Sequence, residues 1–389
     1  MYVAYIYKKD WDTPKVINLF EEKQLKNYLT TTSSPSILYK TRGAVGNSKA
    51  TTIAIADSIY KLVWQPLEKY IKDVKTIYYS PDGILHKIPF AALANNDNKL
   101  LAEVHDFNQM GNTADIRIYD KQPNLNDAVL IGGIDYTYIP DNTTSKIEEK
   151  QHSILEAEQL LGNEINKKRN TSNGSWTYLE GTLKEVDRIS KLLPKSKVFT
   201  NKKATETAFK QLSGASPSVL HIATHGFFFP DIEKQKNKNF SDSKKPYIHA
   251  KNPLLRSGLI FANANYAWQN GSNPYEEDDG ILTSLEISNL DLKNTDIVIL
   301  SACETGLGDI PSSEGVYGLQ RAFKMAGVNT IIMTLWEVPD KETTEFMELF
   351  YTHWKANNNP KKAFKEAQKL MMNKYKDNPE KWAAFVLFE

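Results

Sequence analysis

Continuous apolar runs that alternate with helical patterns fill the chain from Ala128 onward. The runs at 219–225 and 296–303 are the clearest, because nearly every position in them is apolar or small. A strand that is apolar on both sides needs cover on both sides, which is typical of a parallel sheet flanked by helices. We therefore predict an α/β fold with a mostly parallel sheet. The predicted strands lie at 128–136, 197–200, 219–225, 258–264, 296–303 and 329–336, and the predicted helices at 183–193, 204–212, 282–289, 315–327, 341–356 and 361–375.

The first third of the chain has a different pattern, in which short alternating runs and helical spacing are mixed. The predicted elements there are a hairpin of strands at 2–7 and 15–20, helices at 21–29 and 51–71, and a short strand at 76–79. A polar linker at 121–126 follows these elements. We therefore predict two regions, 1–125 and 126–389.

Charge and cysteine content exclude several classes of protein. The 389 residues carry 48 basic and 47 acidic side chains, so a net charge of +1 predicts neither a nucleic-acid nor a membrane partner. No run approaches the roughly 20 apolar residues that a membrane-spanning helix needs, and the first residues do not have the order of a signal peptide. A single cysteine forms no internal disulfide and no structural zinc cluster. We expect a cytoplasmic protein without a metal or other cofactor.

That one cysteine, Cys303, ends one apolar strand, and His225 ends another. Ligands of parallel sheets bind beyond the carboxyl ends of the strands, where these two side chains are predicted to lie. A thiol with a pKa near 8.5 is only about 3% ionised at neutral pH, so it needs a neighbouring base such as His225. The backbone N–H groups of Gly226 and Cys303 could then stabilise an oxyanion. The pattern indicates nucleophilic catalysis.

Other interpretations of these residues compete with catalysis. A lone cysteine on an apolar strand is usually an inert core residue, and a lone strand histidine is usually structural. His221 shares a strand face with His225 because their separation is even, but a zinc site with Cys303 would lack a further histidine-type ligand. We interpret His221 as a hydrogen-bonded core residue.

Several sequence blocks resemble the CHAT domain family, which comprises caspase-like cysteine peptidases often attached to tetratricopeptide repeats. The Thr-His-Gly block at His225 and the Ser-Ala-Cys-Glu-Thr-Gly block at Cys303 are the most specific. The matching blocks are Tyr79–Leu93, His221–Phe228, Asp279–Thr283, Leu300–Gly306, Glu314–Phe323, Leu335–Asp340 and Trp382–Leu387.

The resemblance implies a caspase-like fold in which His225 is the acid and base and Cys303 the nucleophile. It also implies that the N-terminal region is a degenerate, non-catalytic caspase-like half. The two residues are separated by more than the about 50 positions seen in caspases, and an insertion at 231–251 accounts for the excess. No tetratricopeptide repeat precedes the domain here, so a regulatory or tetratricopeptide-type partner is expected to be a separate molecule or a missing segment.

Relatives of this kind also indicate where a substrate side chain binds. The residue two positions before the cysteine, here Ser301, lines the pocket for the side chain that precedes the cut, called P1. The loop after the strand at 329–336 lines the same pocket and supplies Trp336, Glu337 and Asp340. Further acidic candidates are Asp278 and Asp279. We expect a basic or neutral P1 residue rather than aspartate.

The combined hypothesis is a cysteine endopeptidase that cleaves a protein partner through a thioester acyl-enzyme, in regulated defence or cell-death signalling. A non-proteolytic caspase-like scaffold that binds partner proteins is the alternative from a different class. Hydrolysis of a small ester or amide would use the same chemistry in a differently shaped pocket.

Overall fold

The computed structural model describes residues 1–30, 55–111, 122–139, 175–229, 247, 250–270, 278–302 and 314–389. Its strands are β1 Tyr2–Ile6, β2 Lys15–Phe20, β3 Thr76–Tyr79, β4 Asp106–Gln109, β5 Ala128–Ile134, β6 Lys197–Asn201, β7 Val219–Thr224, β8 Gly226–Phe228, β9 Ser257–Ile260, β10 Ile281–Thr283, β11 Ile297–Ala302, β12 Thr330–Thr334 and β13 Phe385–Phe388. Its helices are α1 Glu22–Thr30, α2 Gln65–Ile71, α3 Leu101–Val104, α4 Glu180–Leu192, α5 Glu206–Lys210, α6 Ala264–Asn270, α7 Ser284–Ser288, α8 Glu314–Met325, α9 Asp340–Asn357 and α10 Pro360–Lys374.

An eight-stranded sheet in the order β3-β4-β13-β12-β11-β7-β5-β6 forms the centre of the molecule. Strands β12, β11, β7, β5 and β6 are parallel to one another, and β5 and β7 are buried at every position. Continuous apolar runs therefore form interior strands, as expected for parallel sheets. The predicted mostly parallel sheet flanked by helices is confirmed.

The C-terminal strand β13 joins the two parts of this sheet. It pairs antiparallel with β12 on one side and parallel with β4 on the other, so β3, β4 and β13 run opposite to the other five strands. Neither β4 nor β13 was predicted from the sequence. Strands β3 and β4 of the predicted first region share this sheet with strands of the predicted second region, whereas β1 and β2 form a separate sheet. The division at residue 125 stays a prediction.

Helices α4 and α9 pack against each other, and α4 also packs on β5. Both helices present large buried side chains, and Phe346, Tyr351 and Trp354 of α9 are all without solvent exposure. In α4 the core-facing positions are Thr182, Glu185, Val186 and Ile189, at the three- and four-residue spacing of one helix face. One of these core-facing residues is therefore an acid.

A second, antiparallel sheet of β10, β9 and β8 adjoins the large one. One residue, His225, separates the end of β7 from the start of β8, so the chain passes from one sheet to the other at His225. The predicted helix at 282–289 is instead split into β10 and α7. The side chain of Thr283 accepts a hydrogen bond from the Glu286 N–H, and the Glu286 carboxylate accepts one from the Thr283 N–H. This reciprocal pair starts the helix at Ser284.

The N-terminal elements largely follow the predictions. Strands β1 and β2 form the antiparallel hairpin, and α1 follows it. The described part of the predicted helix at 51–71 is helical from 55, with a π-helical turn at Tyr60–Trp64. Residues 51–54 and most of the predicted insertion at 231–251 lie outside the described residues. None of the helices in the described part combines the length and apolar character that crossing a membrane requires.

Candidate active site

His225 occupies the short gap between β7 and β8 and is buried, with 7% of its surface exposed. Its backbone carbonyl accepts a hydrogen bond of 2.9 Å from the Ile260 N–H, which fixes the chain at this junction. The rings of Tyr136 and Trp176 lie 5.1 and 5.0 Å from the imidazole, centroid to centroid. Because these rings restrict rotation of the side chain, the imidazole is held in one orientation.

The backbone carbonyl of Thr177 determines which imidazole nitrogen carries the proton. The His225 Nε2 lies 2.8 Å from this oxygen. A carbonyl oxygen only accepts hydrogen bonds, so Nε2 carries a proton and donates it. In the neutral ring Nδ1 is then left with a free lone pair. The arrangement prepares Nδ1 to accept a proton from a neighbouring group.

Burial lowers the pKa of His225 below its ordinary value of 6.5. The Thr177 carbonyl and the negative charge of Asp340 act in the opposite direction but do not cancel the effect of burial. Burial therefore favours the neutral form of the imidazole. A neutral imidazole with a free lone pair is the form that a general base requires.

Strand pairing sets the residues that precede the two predicted catalytic positions side by side at neighbouring strand ends. Ala302, the last described residue before Cys303, pairs in parallel register with Thr224, the residue before His225. Cys303 itself lies outside the described residues. Gly226 is described and buried, and it opens β8 opposite Leu259. The oxyanion role of the Gly226 and Cys303 N–H groups stays a prediction.

Two of the four residues predicted to line the P1 pocket are buried. Ser301 is 3% exposed, and its hydroxyl donates a 3.0 Å hydrogen bond to the carboxylate of Glu185. Trp336 is 1% exposed, and its ring N–H donates a 2.9 Å hydrogen bond to the Glu380 carbonyl. Both side chains thus have polar partners inside the protein, and their role in a pocket stays a prediction.

The other two pocket candidates, Glu337 and Asp340, are exposed. Asp340 is the first residue of α9, and its carboxylate lies against Gly181 in the first turn of α4, where any side chain would collide with it. Its charge also acts on His225. Among the four candidates, Asp340 is therefore the one with a described electrostatic link to the histidine.

Asp278 and Asp279 shape the turn that precedes β10. Asp278 accepts hydrogen bonds from the Thr207 and Gly280 backbones at 2.8 and 3.1 Å. Asp279 accepts one of 2.8 Å from the Ile281 backbone and one of 3.1 Å from the Tyr247 hydroxyl. These contacts are the ones that turn-forming aspartates make.

Asp279 also belongs to a cluster of acids that the sequence did not reveal. Lys210 forms ion pairs with Glu206 and, at 2.8 Å, with Glu286. Burial, together with the charges of Glu286 and Asp279, raises the pKa of Glu206 to about 8, although Lys210 opposes the rise. One lysine therefore does not neutralise three neighbouring carboxylates, and Glu206 binds a proton more readily than a free glutamate does.

Glu206→Gln is expected to reduce the pH dependence of stability. The pKa of Glu206 is about 8 in the folded protein and 4.5 for the free side chain. Between these values the folded state keeps a proton that the unfolded state releases, so the contribution of Glu206 to stability falls as the pH rises. As the pH rises from about 5 to about 8, the free energy of unfolding in urea should increase for the variant relative to the wild type. The exposed Glu348 provides the control Glu348→Gln, and an equal pH slope in wild type and Glu206→Gln would contradict the assignment.

Several groups around His225 could not be predicted from the sequence. The Thr177 carbonyl acts through the backbone, which has no residue-type signal. Tyr136 and Trp176 come from segments that are separate in the chain, and Asn265 holds the Trp176 backbone through two hydrogen bonds of 2.6 and 3.0 Å. Only tertiary structure brings these groups around His225.

Two solved structures match this chain at low sequence identity. A crystal structure of the Arg-specific cysteine proteinase gingipain R matches with a TM-score of 0.43 and 13% identity, covering 95% of this chain and 78% of that one. A complex of Porphyromonas gingivalis RgpB pro- and mature domains matches with a TM-score of 0.44 and 13% identity, covering 93% and 76%.

Comparison with known sequences gives a partial match to two relatives and a match to a family model over most of the chain. Tetratricopeptide repeat protein 28 of mouse and of human are each 29% identical to this chain over 108 residues, which is 28% of this chain. The match spans only 4% of the length of those relatives. The model of the CHAT domain family matches residues 54–389, which include both His225 and Cys303. The chain belongs to the CHAT domain family.

Proposed function

We propose that the protein is a caspase-like cysteine endopeptidase with Cys303 as nucleophile and His225 as general base and acid. The observation that carries the proposal is the parallel pairing of Ala302 with Thr224. Cys303 directly follows Ala302, and His225 directly follows Thr224. Consecutive Cα atoms are 3.8 Å apart, so one peptide bond separates each functional residue from a paired position. The Nε2–H of His225 donates to the Thr177 carbonyl, which leaves Nδ1 to accept the proton of Cys303 and supports the same assignment.

The proposed reaction begins with transfer of the Cys303 proton to Nδ1 of His225. The thiolate then attacks the carbonyl carbon of the scissile amide, and the N–H groups of Gly226 and Cys303 stabilise the oxyanion. The imidazolium returns the proton to the leaving amine as the C–N bond breaks, which leaves a thioester on Cys303. Water, deprotonated by His225, attacks the thioester and releases the carboxylic acid and the free thiol.

The proposed substrate is a protein with a basic or neutral P1 residue. Asp340 supports this choice, because an exposed carboxylate whose charge acts on His225 would repel an aspartate at P1. A reducing, cytoplasmic setting suits a chain whose only cysteine must stay a free thiol. Regulated cleavage of a dedicated partner in defence or cell-death signalling completes the proposal.

A scaffold that binds partner proteins without cleaving them is the second candidate. It is favoured by the similarity to tetratricopeptide repeat protein 28, a relative whose name refers to repeats rather than to an activity. In such a protein a regulatory or tetratricopeptide-type partner would be the ligand rather than the substrate. The presence of both His225 and Cys303 favours the peptidase.

Cleavage of a peptide library distinguishes these candidates. We expect the wild-type protein to generate new peptide N-termini after basic or neutral residues, and the Cys303→Ala variant to generate none. Mass spectrometry of the products gives both the sites and the P1 preference. Identical product spectra for the two proteins would support the scaffold, and a consistent aspartate before the cut would refute the proposed specificity.

A further inference from the structure

A buried polar network lies along β7 and β11, the strands that precede His225 and Cys303 in the chain. Its members are Glu185 on α4, His221 on β7, Ser301 on β11 and Tyr351 on α9, and none is more than 3% exposed. Ser301 precedes Cys303 by two residues, and His221 precedes His225 by four. The network thus connects strands β7 and β11 to helices α4 and α9.

Glu185 is the centre of the network. One carboxylate oxygen accepts the 3.0 Å hydrogen bond from Ser301, and the other lies 2.9 Å from Nε2 of His221. The distance between His221 Nε2 and the carboxylate is that of an ion pair, but the angle at the N–H is too small for a regular hydrogen bond. A single side chain therefore contacts a residue of β7 and a residue of β11.

The strand register explains how one carboxylate reaches both strands. Parallel pairing sets Ile299 opposite His221 and Ser301 opposite Ala223. Alternate residues of a strand face the same way, so His221 and Ser301 point to the same side of the sheet, towards α4. A shift of either strand by one residue would turn its polar side chain away from Glu185.

Tyr351 completes the network on the other side of His221. Its hydroxyl lies 3.2 Å from Nδ1 of His221. Burial, and then the charge of Glu185, raise the pKa of Tyr351 well above its ordinary value, so the hydroxyl keeps its proton and can donate it. When the imidazole is neutral, its own proton is then on Nε2, next to Glu185. Each polar group of the network has a neighbour of complementary character.

A carboxylate in the interior is costly unless other groups compensate its charge, and apolar residues usually occupy such positions. Neither Glu185 nor His221 is assigned a step in the proposed reaction. We propose that Glu185 is a positioning residue, which holds the ends of β7 and β11 in the alignment that lets His225 activate Cys303. The inference rests on the proposed function of that pair.

The same two strands offer a matched control at their opposite ends. There the hydroxyl of Ser218 donates a buried 2.7 Å hydrogen bond to Asp296, just before β7 and β11 begin. Six strand residues span about 20 Å, so this bond is remote from the catalytic ends. Ser301→Ala and Ser218→Ala each remove a serine–carboxylate bond, one near the proposed site and one far from it.

The test measures the rate of Cys303 alkylation by iodoacetamide from pH 5 to pH 10. Cys303 is the only cysteine, so the reaction reports on one thiol. The proteins are the wild type, Glu185→Gln, Ser301→Ala, Ser218→Ala and His225→Ala, with stability of each followed by urea unfolding. Glu185→Gln keeps the shape of the side chain, and Ser301→Ala provides a milder change if the glutamine variant folds poorly.

We expect Glu185→Gln and Ser301→Ala to raise the apparent pKa of the thiol towards that of His225→Ala. The alkylation rate at pH 7 should fall about 3- to 10-fold, which corresponds to a rise of about 0.5 to 1 pKa unit. Ser218→Ala should lose stability but keep the wild-type pH profile. If Glu185→Gln and Ser301→Ala show the wild-type pH dependence of alkylation while His225→Ala shows a raised thiol pKa, the role of Glu185 is overturned and the proposed catalytic pair is not. A wild-type profile for His225→Ala would overturn the catalytic pair and the inference with it.

Discussion

Replacing His225 with alanine is expected to lower kcat/KM for peptide cleavage by about 10²- to 10⁴-fold, the usual contribution of a general acid–base residue. Without the imidazole, only about 3% of the thiol is ionised at neutral pH, and no group protonates the leaving amine. The best peptide from the library serves as substrate, and initial rates over a range of concentrations give kcat and KM separately. Most of the loss should appear in kcat, since His225 takes part in proton transfer rather than in binding.

His353→Ala is the matched control for this variant. His353 lies on α9, is partly exposed, and contacts Glu366 at 3.0 Å on the protein surface. Its removal should change kcat/KM less than twofold, because it contacts neither strand end. Comparable losses in the two variants, or a His225→Ala enzyme with wild-type kcat, would contradict the proposed role of His225.

Replacing Phe385 with alanine is expected to lower the free energy of unfolding by about 3–5 kcal/mol. Phe385 is 1% exposed, and its ring stacks on Phe346 of α9 with a centroid distance of 3.8 Å. It belongs to β13, the strand that joins β4 to β12. Loss of this ring leaves a cavity at the junction of the two parts of the sheet. Urea unfolding followed by far-ultraviolet circular dichroism measures the effect.

Val386→Ala tests whether the effect depends on the buried ring or on the strand as a whole. Val386 is the next residue of β13, is only partly buried, and points to the opposite side of the sheet. Its truncation should cost about 1 kcal/mol, the value for removing a small amount of apolar surface. A loss in Phe385→Ala no larger than that in Val386→Ala would show that the ring does not hold the junction.

The strands of the parallel sheet were predictable because their sequences are apolar at nearly every position. Strand β5 and strand β7 are buried throughout, so their position in the sheet and their composition agree. Strand β4 was missed because Asp106–Gln109 is short and mostly polar, and tertiary pairing with β3 and β13 determines its conformation. Strand β13 was missed because four apolar residues fit a strand or a buried turn equally well.

The candidate site was predictable where side chains carry the chemistry. The sequence identified His225 by its position at the end of an apolar run, and the structure adds the Thr177 carbonyl that fixes its tautomer. Glu185 did leave a signal, because it takes a core-facing position in the pattern of α4. A glutamate in such a position indicates a buried partner, but only the fold shows that Ser301 and His221 are the partners.

Nuclear magnetic resonance titration of the His225 ring nitrogens tests the central claim most directly. In Cys303→Ala we expect the neutral ring with its proton on Nε2, and a pKa below 6.5, since burial lowers it. In the wild type, a thiolate beside Nδ1 would favour the imidazolium, so the apparent pKa of His225 should be higher. Alkylation of Cys303 should return it to the lower value. Superimposable titration curves for the wild type, Cys303→Ala and the alkylated protein would show that the imidazole and the thiol do not interact.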